Sequence, residues 1–295
     1  MGVEVIVNRY GGGDGGHDKR CCHLSLVSLE DLSTKSLCEN LNFPTDEPFD
    51  FNQCGEWLLL DDYEGNIALF NLKSKDFKLL PLPKLENPRE TELGFDASEW
   101  YCDAPGEYTI HTDVYSLKSG YWREIPTTPN AFIHYPMGVY VGGLCYFMAN
   151  YGKNVASFDS TNESFHCLDK PPQSEGLDLS FVLVECRGLL GAIGYDGKAF
   201  VVWVLEGGSW SKLFDMVLDG VERPVGFKDG QFLFLEGPRR DSEERSVLLV
   251  YDCIAKDQKK LGICGFTYCS KVISYVDDAR PMPILEKRRE ELGED

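Results

Sequence analysis

The sequence predicts an all-β fold of the propeller class, kelch-like, with about six small sheets arranged in a ring. Three observations carry the prediction. A short pattern of aromatic and turn residues recurs at nearly constant spacing, and a glycine opening an apolar run precedes several copies at a fixed distance. Almost no stretch has the 3.6-residue apolar period of a packed helix. A repeat of about forty-five residues with at least three strands cannot bury both faces of its own sheet, so such units stack side by side until the array closes.

The pattern starts with an aromatic at the end of an apolar run, passes through a polar turn and reaches a second aromatic seven residues later. The copies are Ala68-Leu69-Phe70-Asn71-Leu72 to Phe77, Val114-Tyr115-Ser116-Leu117 to Trp122, Ala156-Ser157-Phe158-Asp159 to Phe165, and Val202-Trp203-Val204-Leu205 to Trp210. A fifth, Leu249-Val250-Tyr251-Asp252-Cys253, keeps the first half but has Gln258 in place of the second aromatic. First aromatics at 70, 115, 158, 203 and 251 give steps of 45, 43, 45 and 48. A poorer sixth copy is Leu24-Ser25-Leu26-Val27-Ser28-Leu29. The intervening turns are rich in Gly, Asn, Asp and Ser, so each copy reads as a hairpin whose aromatics face each other across the strand pair.

Gly55, Gly143 and Gly188 each open an apolar strand fifteen residues before a first aromatic, and Gly230 does so at twenty-one because residues 237–245 are inserted. Each such Gly predicts a turn into the inner half of the repeat. Prolines at Pro81, Pro83, Pro126, Pro171 and Pro172 fall where one unit should pass to the next, since proline cannot donate to a ladder. Residues 269–276 read as a last strand, expected to close the ring by pairing with the first copy near residues 22–29. The resulting division is a Gly-rich polar segment over 1–22, the repeat domain over 23–284 and a charged tail over 285–295.

Composition narrows the function. The hydrophobic fraction of 43% supports a packed core, and a formal charge of −19 disfavours both nucleic acid and anionic membrane as partners. Eleven cysteines, with no C-x-x-C pair, read as small buried hydrophobes of a reducing compartment and not as a metal or redox site. The start has no signal-peptide pattern, so the expected location is the cytoplasm or nucleus.

The chemical motifs are weak. Gly11-Gly12-Gly13-Asp14-Gly15-Gly16 formally fits G-x-G-x-x-G, but a dinucleotide site needs a helix next, and His17 to Leu26 has no helical apolar face. His23 beside Cys22 lies in a strand-like run, where neighbours point to opposite faces, which is the wrong geometry for a nucleophile and its base. No catalytic residue, metal site or cofactor is predicted. The loops between the Gly-initiated strand and the hairpin strand are more informative, because equivalent loops of stacked units emerge on one side. They present Tyr63, Tyr151 and Tyr195, with Arg239 and Arg240 in the inserted stretch, and Tyr and Arg are enriched at binding hot spots. These five residues are the candidate contact surface for a substrate protein or peptide. The alternative function is a propeller enzyme or lectin-like carbohydrate-binding protein using the central channel.

Val114-Tyr115-Ser116-Leu117-Lys118-Ser119-Gly120-Tyr121-Trp122-Arg123, Gly142-Gly143-Leu144-Cys145-Tyr146-Phe147, Ser157-Phe158-Asp159 with Asn162-Glu163-Ser164-Phe165, Trp203-Val204-Leu205 to Trp210-Ser211-Lys212, and Val250-Tyr251-Asp252 stand in one order. In that order they resemble the plant F-box-associated domain, over roughly residues 23–276. The resemblance implies a propeller-like, non-catalytic fold that selects substrates for a cullin-RING (SCF-type) ubiquitin ligase. Residues 1–22 are too few for the helical F-box that usually leads such chains, so the ligase adaptor is expected to be reached only through an F-box upstream of this sequence.

Overall fold

The computed structural model describes residues 4–12, 20–28, 31, 33–38, 49–54, 57–62, 66–81, 97–104, 107–116, 119–125, 138–149, 152–172, 180–238, 245–266 and 272–275. Every regular element among them is a strand. β1 (Glu4–Gly12), β2 (Arg20–Ser28) and β3 (Thr34–Cys38) begin the first sheet, and β4 (Phe49–Cys54), β5 (Trp57–Asp62), β6 (Ile67–Asn71) and β7 (Phe77–Leu79) form the second. The third contains β8 (Ala97–Ala104), β9 (Glu107–Ser116) and β10 (Tyr121–Ile125). The fourth contains β11 (Val139–Val141), β12 (Leu144–Ala149), β13 (Asn154–Asp159) and β14 (Ser164–Asp169). The fifth runs β15 (Ser180–Cys186), β16 (Leu189–Tyr195), β17 (Ala199–Glu206), β18 (Ser209–Val217). The sixth runs β19 (Arg223–Lys228), β20 (Phe232–Glu236), β21 (Arg245–Asp252), β22 (Asp257–Phe266). Strands pair in sequence order, and β23 (Val272–Tyr275) joins the first sheet beside β1. From the fourth sheet onward the first strands of successive sheets lie beside each other, β11 by β15, β15 by β19 and β19 by β23, as the inner strands of a propeller arrangement do, and β11 also meets β4 of the second sheet.

One pairing differs from the sequence expectation. The C-terminal strand meets Glu4–Val7, with Glu4 opposite Tyr275 and Val7 opposite Val272, and not residues 22–29. The reason is that both edges of β2 are occupied, by β1 on one side and β3 on the other. The Gly-rich stretch joins β1 to β2, and Gly11 and Gly12 already lie in the ladder, opposite Cys21 and Arg20. A strand therefore lies within the segment set apart by composition as 1–22. The element that follows is a strand, not the helix a dinucleotide fingerprint requires. The expected charged tail at 285–295 lies outside the described residues.

The recurring hairpin has a local cause in its turn chemistry. The residue after the first aromatic caps the turn. Asn71 Oδ1 accepts from the Lys73 and Ser74 backbone N–H groups, each at 2.9 Å. Asp159 Oδ1 accepts from Thr161 N at 2.8 Å, Asp252 Oδ1 from Ile254 N at 2.9 Å, and Ser116 Oγ from Ser119 N at 3.2 Å. Four positions further on the backbone turns left-handed, at Lys75 (φ 65°), Gly120 (φ 77°), Glu163 (φ 50°) and Lys256 (φ 54°). A short polar side chain bonded to its own turn, then one left-handed residue, fixes the register. Phe70 consequently faces Phe77, Tyr115 faces Trp122 and Phe158 faces Phe165, with centroids 5.2 Å apart in the second pair and 4.8 Å in the third.

The fourth copy breaks this rule. Its turn is the two-residue Gly207-Gly208 (φ 58° and 82°), two residues shorter than the others, and a register shift follows between Val202 and Trp203. Trp210 therefore stands opposite Leu205, and Trp203 opposite Lys212, so these two aromatics do not face each other as the spacing alone predicts. Gly143, Gly188 and Gly230 each sit in a turn leading into a second strand, as expected, and Gly55 lies outside the described residues. Gly142-Gly143 and Arg187-Gly188 form two-residue turns joining an inner strand to the next one, all four residues with positive φ.

The core lies between sheets. Ile125 and Val114 of the third sheet pack with Phe147, Phe158 and Phe165 of the fourth. Val155 and Met148 of the fourth meet Leu183 and Ala192 of the fifth. Val202 and Phe200 of the fifth meet Phe227, Leu233 and Leu249 of the sixth. Phe234 and Leu261 of the sixth meet Val27 and Val272 of the first. Phe70, Phe200 and Phe234 are fully buried, each stabilising the fold by about 1.5–3 kcal/mol through removal from water. Two outer-strand indoles also stitch neighbouring sheets: Trp122 Nε1 donates to Pro81 O at 2.6 Å and Trp210 Nε1 to Asp169 O at 2.8 Å. The expectation that cysteines are buried holds for Cys186 but not for Cys167, which is exposed on the outer strand β14.

Candidate functional site: the loop end of the sheets

Antiparallel order sorts the connections by end. Turns between first and second strands, and between third and fourth, lie at one end of each sheet. Loops between second and third strands, and chains passing to the next sheet, lie at the other. Tyr195, the candidate residue among the described ones, ends β16 at this second end. Hydrogen bonds tie its two sets of connections together: Leu218 N donates to Lys198 O at 3.0 Å, Glu222 N to Glu236 O at 2.8 Å and Leu80 N to Ile67 O at 2.8 Å. The loops are thereby braced against the chain leaving the outer strand, a preorganised rim.

The fifth sheet shows the rim best. Tyr195 ends β16, half-buried, and its ring stacks on Phe200 with centroids 6.3 Å apart and planes 12° apart. Part of its side chain therefore serves its own sheet. Asp196 Oδ1 accepts from Ala199 N at 2.8 Å and Lys198 N at 3.1 Å, and these N–H groups hold its carboxyl below the usual range. Lys198, Asp219 and Glu222 are exposed, and Val217 is 70% exposed beside them in sequence at the end of β18. Tyr63, Tyr151, Arg239 and Arg240 lie outside the described residues. Described residues near Tyr151 and Arg239 are hydrogen-bonded, Lys153 N donating to Ala149 O at 3.1 Å and Gly237 N to Val247 O at 2.8 Å.

Sequence reasoning missed the strongest polar feature here. Arg223 and Glu236 face each other at the root of the inserted 237–244 loop, with Nε to Oε2 at 2.8 Å and Nη2 to Oε1 at 3.2 Å. Their side chains are 10% and 1% exposed. Such a two-pronged buried pair fixes the orientation of both strands, because neither charge tolerates burial without the other. The available signal was a glutamate closing the apolar run Phe232–Leu235. Among the described residues no group of three or more His, Cys, Asp or Glu is arranged to hold a metal, and no helix is long and apolar enough to cross a membrane.

This arrangement of small antiparallel sheets, with inner strands side by side and a loop rim, defines a β-propeller protein. The chain belongs to the family of the F-box associated beta propeller domain, whose model matches residues 19–285. No curated protein matches it. Among solved structures it is similar to TolB from Acinetobacter baumannii, at 14% identity and a TM-score of 0.52, covering 91% of this chain and 65% of that one. A periplasmic gluconolactonase from Pseudomonas aeruginosa matches at 11% identity and a TM-score of 0.49, covering 94% and 99%. At such identities the TolB likeness speaks for the fold alone.

Proposed function

We propose that this chain is the substrate-recognition propeller of an F-box-type receptor for cullin-RING ubiquitin ligases, working as a non-catalytic protein-binding module in the cytoplasm or nucleus. Membership of the F-box associated beta propeller family over residues 19–285 carries the reading. In it each of the six sheets is a blade, and the β1–β23 ladder shuts the ring; the separate sheets, their consecutive packing and that antiparallel pairing support this. A closed ring loses little conformational entropy on binding, so side chains on its rim are free to vary without loss of the fold. The contact surface is the loop end bearing Tyr63, Tyr151, Tyr195, Arg239 and Arg240, and the ligase adaptor is engaged through an F-box carried elsewhere.

The test is affinity capture from native extract with quantitative mass spectrometry, using the wild-type chain, Tyr195→Ala, an Arg239→Glu/Arg240→Glu double variant and, as a control on the opposite end, Lys73→Glu. A substrate protein recovered by wild type and by the control, reduced about tenfold (about 1.4 kcal/mol) by the rim variants, is the expected result. Identical recovery by all four chains would sink the rim as contact surface. Failure of the recovered protein to be ubiquitinated by a reconstituted ligase carrying this propeller behind an F-box would sink the receptor role.

A further inference from the structure

The second aromatic of the repeat closes the seam to the preceding sheet. Phe165, 8% exposed, packs with Ile125 and Val114 of the third sheet. Trp122 packs with Leu69 and Leu80 of the second, and Trp210 joins the cluster shared with Leu168 and Tyr146 of the fourth. The two indoles donate to equivalent carbonyls, Pro81 lying four residues beyond Phe77 and Asp169 four beyond Phe165. The sixth sheet has Gln258 at this position, exposed and opposite the half-buried Tyr251. The cluster between the fifth and sixth sheets takes in Tyr251, Phe214 and Met216 but, among the described residues, no side chain of β22. At the turn end of the same two sheets the seam is held, by Arg187 Nε donating to Asp229 O at 3.1 Å. Its outer part therefore lacks the aromatic that fills the equivalent place elsewhere. Leu213, on the bulge of the neighbouring outer strand β18, is 45% exposed.

Charge departs from the molecular average at the same place. Lys256, Lys259 and Lys260 are exposed on a chain of net charge −19. The Asp252 carboxylate in this hairpin accepts from the N–H groups of Ile254 and Ala255 and from the Gln231 amide and feels the charge of Lys259, and Asp257 stands opposite it in the ladder, so three exposed lysines outnumber two acids over residues 252–260. Alternation along β22 puts Lys260 on the face that carries Gln258.

We infer that the outer seam between the fifth and sixth sheets is a docking site for an acidic, extended segment of another protein, which inserts an aromatic side chain where the repeat's own is missing. The lysines select the segment's charge and speed its approach, and the ring gains the packing that Phe165 and Trp122 gain in their seams. This surface lies on the outer strands, apart from the loop end, so it stands whether or not the rim binds substrate.

Fluorescence anisotropy tests it with a labelled synthetic peptide carrying one Trp between pairs of acidic residues. Two controls accompany it, one with Ala for Trp and one with Lys for the acids. Only the acidic Trp peptide is expected to bind. Its affinity should fall severalfold in Lys260→Glu, vanish in Gln258→Trp, which fills the seam from within, and persist in Lys73→Glu on the second sheet. A thermal midpoint for Gln258→Trp no lower than wild type shows that the loss is not unfolding. No binding of the acidic Trp peptide, equal binding of all three peptides, or undiminished binding to a folded Gln258→Trp chain would overturn the inference.

Discussion

Trp203 Nε1 is buried without an acceptor among the described residues, in a seam that Val201, Phe181 and Trp210 also line. An orphaned donor costs about 1–3 kcal/mol, while the ring itself contributes packing. Trp203→Phe should therefore leave stability unchanged or raise it by up to ~1 kcal/mol in urea unfolding, against a loss of about 3–5 kcal/mol for Trp203→Ala. A large loss for the Phe variant would mean that the N–H has a partner after all. Thiols give a second residue-level test. Burial, with the neighbouring Asp252 charge, pushes the Cys253 thiol up to about 11, and burial raises that of Cys186. A raised pKa means little thiolate at pH 8.5, so alkylation should tag the exposed Cys167 before Cys253 and Cys186, which stay untouched until the chain is denatured. Mass spectrometry of partly labelled protein reads that order directly.

At the scale of the element, the hairpin is a self-contained device: a capping side chain, a left-handed residue and two facing aromatics. Three sheets place a non-glycine at the left-handed site, and the third places Gly120. Lys75→Gly should raise stability by about 0.5–1 kcal/mol through relief of that backbone cost, read as a higher urea midpoint at unchanged slope. The Arg223–Glu236 pair works in the opposite sense. Glu236→Ala removes the carboxylate that faces a buried guanidinium and should cost about 3–5 kcal/mol, whereas Arg223→Met combined with Glu236→Leu should cost far less. Unfolding of the single and double variants separates the two cases, and equal losses would show that the pair matters only for its volume.

For the whole molecule, the seam between the last sheet and the first is the decisive one. A Cβ on Gly226 would lie 2.7 Å from Val272 Cβ, so glycine is what lets β19 and β23 approach. Gly226→Ala should destabilise by about 1–3 kcal/mol through overpacking at this seam. If the ring is shut there, the loss should appear as a lower midpoint of one cooperative unfolding transition. An unchanged midpoint would mean that the two inner strands do not meet.

Much of the fold was legible in advance because its causes are local. Turn residues at fixed offsets, apolar runs of strand length and a step near forty-five residues all act within one repeat, so Phe70, Tyr115 and Phe158 could be set opposite their partners from sequence spacing. Tertiary structure decided what depends on contacts between repeats. The C-terminal strand took β1 because β2 had no edge left, and Trp210 slid to Leu205 because a two-residue turn reset the register. The Arg223–Glu236 pair likewise appears only once separate strands are brought together, whereas Gln258 in place of the second aromatic was legible in the repeat itself. Spacing along a chain determines which side of a strand a residue occupies, but the neighbour it meets is fixed by packing between units far apart in sequence.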